Sequence, residues 1–239
     1  MDIYEIKTVE EALGGNSYPG RGILIGCTPD GTRAVAVYFI MGRSANSRNR
    51  VFVEKEGALY TQPYDASKVQ DPSLIIYAAI RSFQNQMIVT NGDQTDTIYE
   101  ALERNQSFHD ALETRTFEPD QPNFTPRISG MLTFEKESFR YQMSILKSVN
   151  PEGTACERCF FSYPATKGLG HLIHTYVCDG SPIPSFQGEP KRVVLCDDID
   201  EMTRRLWNAL DADNKISLYV RYVSLKDGTQ TNRLVNKNQ

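Results

Sequence analysis

The run Gly22-Ile23-Leu24-Ile25-Gly26-Cys27-Thr28-Pro29-Asp30-Gly31-Thr32-Arg33-Ala34-Val35-Ala36-Val37-Tyr38-Phe39-Ile40 decides the fold class. Two apolar segments of strand length flank a turn in which Pro presets φ, Asp bonds back to the chain and Gly accepts a positive φ. The pattern predicts an antiparallel hairpin. Outward from it, 51–54 and 58–61 predict two more strands, and 128–134 with 139–146 a second hairpin. Further strands are expected at 87–89, 158–163, 171–178 and 192–196, with a last one at 216–225. A short helix and a loop through Gly14-Gly15 precede the first hairpin. Helices are expected at 94–103, 107–113 and 198–210, the last from the spacing of Ile199, Met202, Leu206 and Leu210. Asp71-Pro72 predicts one more, with Asp as N-cap, Pro at the first helical position and Leu74, Ile75, Ala78, Ala79 and Ile80 on one face. Strands that arrive in hairpins argue against a doubly wound parallel sheet. The expectation is an α+β layered sandwich of mostly antiparallel sheets, with residues 1–239 as a single domain and 150–153 as its weakest boundary.

The formal net charge is −4, which argues against a duplex-binding surface, since that needs clustered excess Lys and Arg. A nucleotide monomer needs only a local basic pocket. No apolar run approaches the roughly 20 residues that cross a bilayer, and the start Met1-Asp2-Ile3-Tyr4-Glu5 lacks the basic and apolar regions of a signal peptide. Five scattered cysteines then suggest reduced thiols in a cytoplasmic protein.

Gly42-Arg43-Ser44-Ala45-Asn46-Ser47-Arg48-Asn49-Arg50 joins two predicted strands and holds three guanidiniums, two amides and two hydroxyls without an acid. A turn needs far less. These donors suit phosphate and carboxamide oxygens, although a solvated Arg-rich loop has the same composition. Thr90-Asn91-Gly92-Asp93-Gln94-Thr95-Asp96-Thr97 leads into a helix whose start suits an anion, or is capped by Asp93 or Thr95. Phe117-Glu118-Pro119 and Phe124-Thr125-Pro126-Arg127 flank an extended segment and offer an acid and an Arg. The 179–190 stretch is a stiff loop dense in Pro and Gly.

Cys156 and Cys159 have the spacing of a metal or redox pair, but no second pair accompanies them. His171 and His174 are three apart on a predicted strand and so face opposite sides. No nucleophile elbow, Walker loop or dinucleotide fingerprint occurs.

Taken in order, Tyr18-Pro19-Gly20-Arg21-Gly22, Gly42-Arg43-Ser44, Asn49-Arg50, Tyr77, Thr90-Asn91-Gly92, Thr95-Asp96-Thr97, Phe117-Glu118 and Thr125-Pro126-Arg127 resemble the archaeal-type inosine monophosphate (IMP) cyclohydrolases and their bacterial relatives. Residues 168–190 look like the bacterial branch. The resemblance implies a four-layer αββα sandwich similar to the N-terminal nucleophile hydrolases, without their self-processing. It also implies closure of 5-formamidoimidazole-4-carboxamide ribonucleotide to IMP in purine synthesis, with no metal or organic cofactor and a purine ribonucleotide as the small-molecule partner. No nucleic acid or membrane partner is implied, and a homo-oligomer is left open. The implied catalytic residues are Tyr77, Glu118 and Arg50. Arg21, Arg43, Ser44, Asn49, Asn91, Gly92, Thr95, Asp96, Thr125, Arg127 and His171 are the implied substrate-binding residues. Two other readings fit the same residues: a cyclohydrolase or amidohydrolase acting on another purine-like nucleotide, and a non-catalytic nucleotide sensor.

Overall fold

The computed structural model describes residues 4–68 and 76–238. The strands are β1 (Arg21–Cys27), β2 (Arg33–Met41), β3 (Val51–Lys55), β4 (Ala58–Gln62), β5 (Tyr77–Phe83), β6 (Gln86–Thr90), β7 (Arg127–Glu135), β8 (Ser138–Ser148), β9 (Cys156–Pro164), β10 (Leu169–His174), β11 (Lys191–Val194), β12 (Lys215–Ser224) and β13 (Gln230–Asn236). The helices are α1 (Val9–Leu13), α2 (Ala45–Arg48), α3 (Gln94–Glu103), α4 (Phe108–Glu113) and α5 (Ile199–Ala209). A six-stranded sheet runs β11-β10-β1-β2-β12-β13 and a seven-stranded sheet runs β3-β4-β5-β6-β7-β8-β9. Neighbouring strands are antiparallel throughout.

The first hairpin forms as its sequence predicts, with Ile23 opposite Tyr38. Asp30 fastens its turn by accepting from the Thr32 N–H at 2.9 Å and the Thr28 hydroxyl at 2.6 Å. Side chains alternate across a strand, and both faces here are apolar. Ile23, Ile25, Ala36 and Tyr38 enter a core shared with Leu59, Ile80, Val89 and Leu132 of the other sheet. Leu24, Val35, Val37 and Phe39 pack outward against Val9 and Leu13 of α1 and Met202 and Leu206 of α5. Ile98 and Leu102 of α3, with Phe108 and Leu112 of α4, cover Ile88, Met131 and Leu146 on the far sheet. The layers are therefore helix, sheet, sheet, helix, the α+β sandwich expected.

Three expectations are corrected. Ala78, Ala79 and Ile80, read as one face of a helix, lie in β5 between β4 and β6. Tyr77 accordingly opens a strand rather than sitting on a helix. Asp71, Pro72, Leu74 and Ile75 fall outside the described residues. A strand covered on both faces is apolar all along, and in a short run that pattern is indistinguishable from a buried helix. β13 follows the strand expected to be last and pairs with β12 along the sheet edge. Its Gln230-Thr231-Asn232-Arg233 half carries no apolar alternation, as suits an edge strand. The strand read at 171–178 stops at His174, and the chain beyond it turns toward one end of the sandwich.

At Gly26, a Cβ would come within 2.3 Å of the Leu169 carbonyl oxygen on β10. Gly26→Ala should cost about 1–3 kcal/mol through overpacking against a backbone that cannot rotate away. A lower midpoint in urea denaturation, with the slope unchanged, is the expected result.

Candidate active site

The antiparallel register brings the start of β1 beside the end of β2, and the end of β6 beside the start of β7. Loops from both sheets meet there around a cleft of about 460 Å³. Its walls come from segments 18–21, 41–50, 118–125 and 176–183.

Arg21 and Glu118 face each other across the floor, joined by two parallel hydrogen bonds of 2.9 and 3.0 Å. They are 8% and 4% exposed. Arg21 also donates to the Asn91 carbonyl at 2.9 Å. Burial opposes the charge on Arg21, yet Glu118 holds its pKa above the ordinary guanidinium value. Glu118 is fixed from its own backbone as well, its N–H donating to the Thr125 carbonyl at 2.9 Å. Arg127 approaches from behind: a Cβ on Gly92 would meet its guanidinium at 2.7 Å and Glu118 Oε1 at 3.6 Å. Glycine at position 92 leaves room for both.

Arg50 lines the cleft and is buried. It donates to the carbonyls of Ser47 at 2.7 Å and Met41 at 2.9 Å, and among the described residues it has no carboxylate partner. Ser44 caps α2, its hydroxyl accepting from the Ser47 N–H at 3.1 Å. The Arg-rich loop is thus a short helical turn that aims Arg43 and Arg50 at the cleft. Arg43 is paired with Asp179, donates to the Gly180 carbonyl at 2.8 Å and lies over the Tyr18 ring at 5.2 Å. Tyr77 is buried and is not among the residues that line the cleft; its hydroxyl is 2.7 Å from that of Tyr38. Burial raises the Tyr38 phenol well above its usual range, with Tyr77 adding to the effect.

Several of the residues singled out in the sequence are engaged elsewhere. Asn49 exchanges two hydrogen bonds with the backbone of Asp65, at 2.8 and 2.7 Å. Asn91 ties β7 to β6 through Ile128 and Pro126, and Thr95 bonds Thr90 at 2.6 Å. Asp96 pairs with Arg81 at 2.6 Å. Arg127 is held by Asp93 at 2.6 Å and Gln94 at 2.8 Å. Asp93, at the start of α3, makes no cap bond and is shared by Arg127 and Arg115. Burial of Arg127 pushes its pKa down even so.

His171 is remote from the cleft. Its Nδ1 lies 2.6 Å from the Tyr141 hydroxyl and its ring stacks on Tyr163 at 3.6 Å. Among the described residues no group of three or more His, Cys, Asp or Glu is arranged to hold a metal. The sequence reading missed Tyr18, Asp120, Asn123 and Tyr176 as cleft residues. Asp120 and Asn123 lie inside the loop it had singled out, but nothing local marks which of its side chains turn inward.

Burial lowers His171 to about 4 and His174 to about 3. An unfolded His takes up its proton near pH 6.5. Below that pH the unfolded state binds more protons, so these two sites subtract stability as pH falls from 6.5 toward 4, by about 1.4 kcal/mol per pH unit each. Urea denaturation at pH 6.5 and 5 should show the decline, and His171→Gln should make it shallower by about one proton.

Residues 18–228 match the profile of a family described as IMP cyclohydrolase-like protein. The match runs well past Arg127, where the motif resemblance ends. The chain is 39% identical over 163 residues to an IMP cyclohydrolase of Methanopyrus kandleri, covering 66% of this chain and 75% of that protein. It is 33% identical over 121 residues to one of Methanothrix thermoacetophila, covering 48% and 58%. A third, of Methanosphaera stadtmanae, is 30% identical over 142 residues, covering 56% and 69%. With the family profile spanning most of its length, this chain belongs to the IMP cyclohydrolase-like proteins.

Proposed function

We propose that this chain closes 5-formamidoimidazole-4-carboxamide ribonucleotide to IMP with loss of water. The observation that carries the reading is Glu118, a buried carboxylate clamped by Arg21 at the floor of a nucleotide-sized cleft. Family membership and the names of the relatives support it.

The chemistry asks for little. The carboxamide nitrogen attacks the formyl carbon, a C–N bond forms, and the carbinolamine then loses its hydroxyl as water. Both groups sit on one ring, so the site's main task is to hold the reactive rotamer. Arg21 occupies one direction on each Glu118 oxygen and leaves another lone pair free. Through these, Glu118 takes the proton from the carboxamide nitrogen and passes it to the formyl oxygen, then takes the formamido N–H proton and passes it to the hydroxyl, so that the ring C=N bond forms as water leaves. Arg50, which has no carboxylate partner among the described residues, stabilises the developing oxyanion, and Asn49 fixes the loop that presents it. Arg43 and Ser44 take the phosphate, Asp179 giving way to it.

Purified protein, assayed spectrophotometrically with the formamido ribonucleotide, should form IMP. Glu118→Gln should lower kcat by about a hundredfold or more while IMP still binds. Near-full turnover by that variant would remove Glu118 from the chemistry. Turnover of another ribonucleotide in place of the formamido compound would move the reading to a different cyclohydrolase.

A further inference from the structure

Asp120, Thr125 and Tyr176 form a hydrogen-bonded chain along one wall of the cleft, and all three line it. Asp120 accepts from the Thr125 N–H at 2.6 Å and, through its other oxygen, from the Thr125 hydroxyl. The Thr125 and Tyr176 hydroxyl oxygens are 2.5 Å apart. Thr125 is 2% exposed and Tyr176 5%.

The direction of each proton follows from the donor inventory. An ionised carboxylate has no proton to give, so the single hydroxyl proton of Thr125 goes to Asp120. Thr125 then meets Tyr176 as an acceptor, and the single phenolic proton of Tyr176 goes to Thr125. What Tyr176 has left for the cleft is an oxygen lone pair. It joins Glu118 and Asp120 as an acceptor in a cleft where Arg21, Arg43 and Arg50 are able only to donate.

Its place along the wall is defined at both ends. The Tyr176 ring stacks on Tyr18 at 5.8 Å, and Tyr18 lies beneath the Arg43 guanidinium at 5.2 Å. The Tyr176 hydroxyl bonds Thr125, whose carbonyl accepts from the Glu118 N–H. The lone pair therefore faces the stretch between Arg43 and the Arg21–Glu118 pair. With phosphate at the first and carboxamide at the second, that stretch belongs to the sugar.

We propose that Tyr176 accepts a hydrogen bond from a ribose hydroxyl and is the residue by which the site distinguishes a ribonucleotide from its deoxy counterpart. This rests on the cleft being the nucleotide site, as proposed above. Tyr176 acts in specificity rather than in ring closure, and Asp120 acts through Thr125 by setting the direction of its proton.

Calorimetric titration of IMP, 2′-deoxy-IMP and 3′-deoxy-IMP into the wild-type chain, Tyr176→Phe and Thr125→Val tests the assignment. Wild type should bind IMP about tenfold tighter than one of the two analogues, the discrimination expected of one hydrogen bond. In Tyr176→Phe the ratio should fall to near one, because IMP loses affinity and the analogue does not. In Thr125→Val the phenol proton is released and the ratio should fall by a smaller factor. Equal binding of IMP and both analogues by wild type, or a ratio that survives Tyr176→Phe while all affinities drop together, would overturn the inference alone. Failure of IMP to bind wild type would overturn it along with the nucleotide-site reading.

Discussion

The buried pair of Arg21 and Glu118 sets the terms for everything around it. Two charges have left water, and their attraction offsets the desolvation only with good geometry and further hydrogen bonds. The fold supplies both. Two parallel hydrogen bonds join the groups, Arg21 gains the Asn91 carbonyl, and Glu118 is anchored through its own N–H to Thr125. Each support comes from a different segment, so the pair fastens β1 to the ends of the elements opposite. Losing one partner would strand the other as a buried charge, a loss of about 3–5 kcal/mol.

That fastening matters because of how the layers are built. Two antiparallel sheets face each other across a shared apolar core, and each outer face is covered by helices. Apolar burial of this kind is non-directional. It holds the layers together without specifying which loop side chains meet at their open end. The polar contacts do that, through Arg21 with Glu118, Arg43 with Asp179, and Ile183 donating to Asn123 at 3.1 Å. At the cleft, hydrogen bonds rather than packing decide the arrangement.

Much of the architecture was legible from local pattern. The Pro-Asp-Gly turn between two apolar runs announced the first hairpin, and the spaced Ile199, Met202 and Leu206 announced α5, whose first-turn N–H groups donate to the Asp198 carboxylate. The reading failed where pattern is degenerate. The first half of β5, Tyr77 to Ile80, is buried on both faces and so shows no alternation, while β13 is an exposed edge whose polar side chains show none either. Among the site residues, Arg21, Arg43, Arg50, Glu118 and Thr125 do meet at the cleft. Asn91, Thr95 and Asp96, chosen from a polar stretch of the same kind, meet partners inside the fold instead.

From sequence alone came the antiparallel class, the helices flanking it and the loops that hold polar chemistry, because turns, caps and apolar runs act over a few residues. Tertiary structure alone decided that Arg21 meets Glu118, that Asp93 is shared by Arg127 and Arg115, and that Tyr176 bonds Thr125 at the cleft wall. Those facts depend on contacts between segments far apart in the chain. A side chain's partner, and with it the direction of its proton, is a property of the space it folds into rather than of its neighbours in sequence.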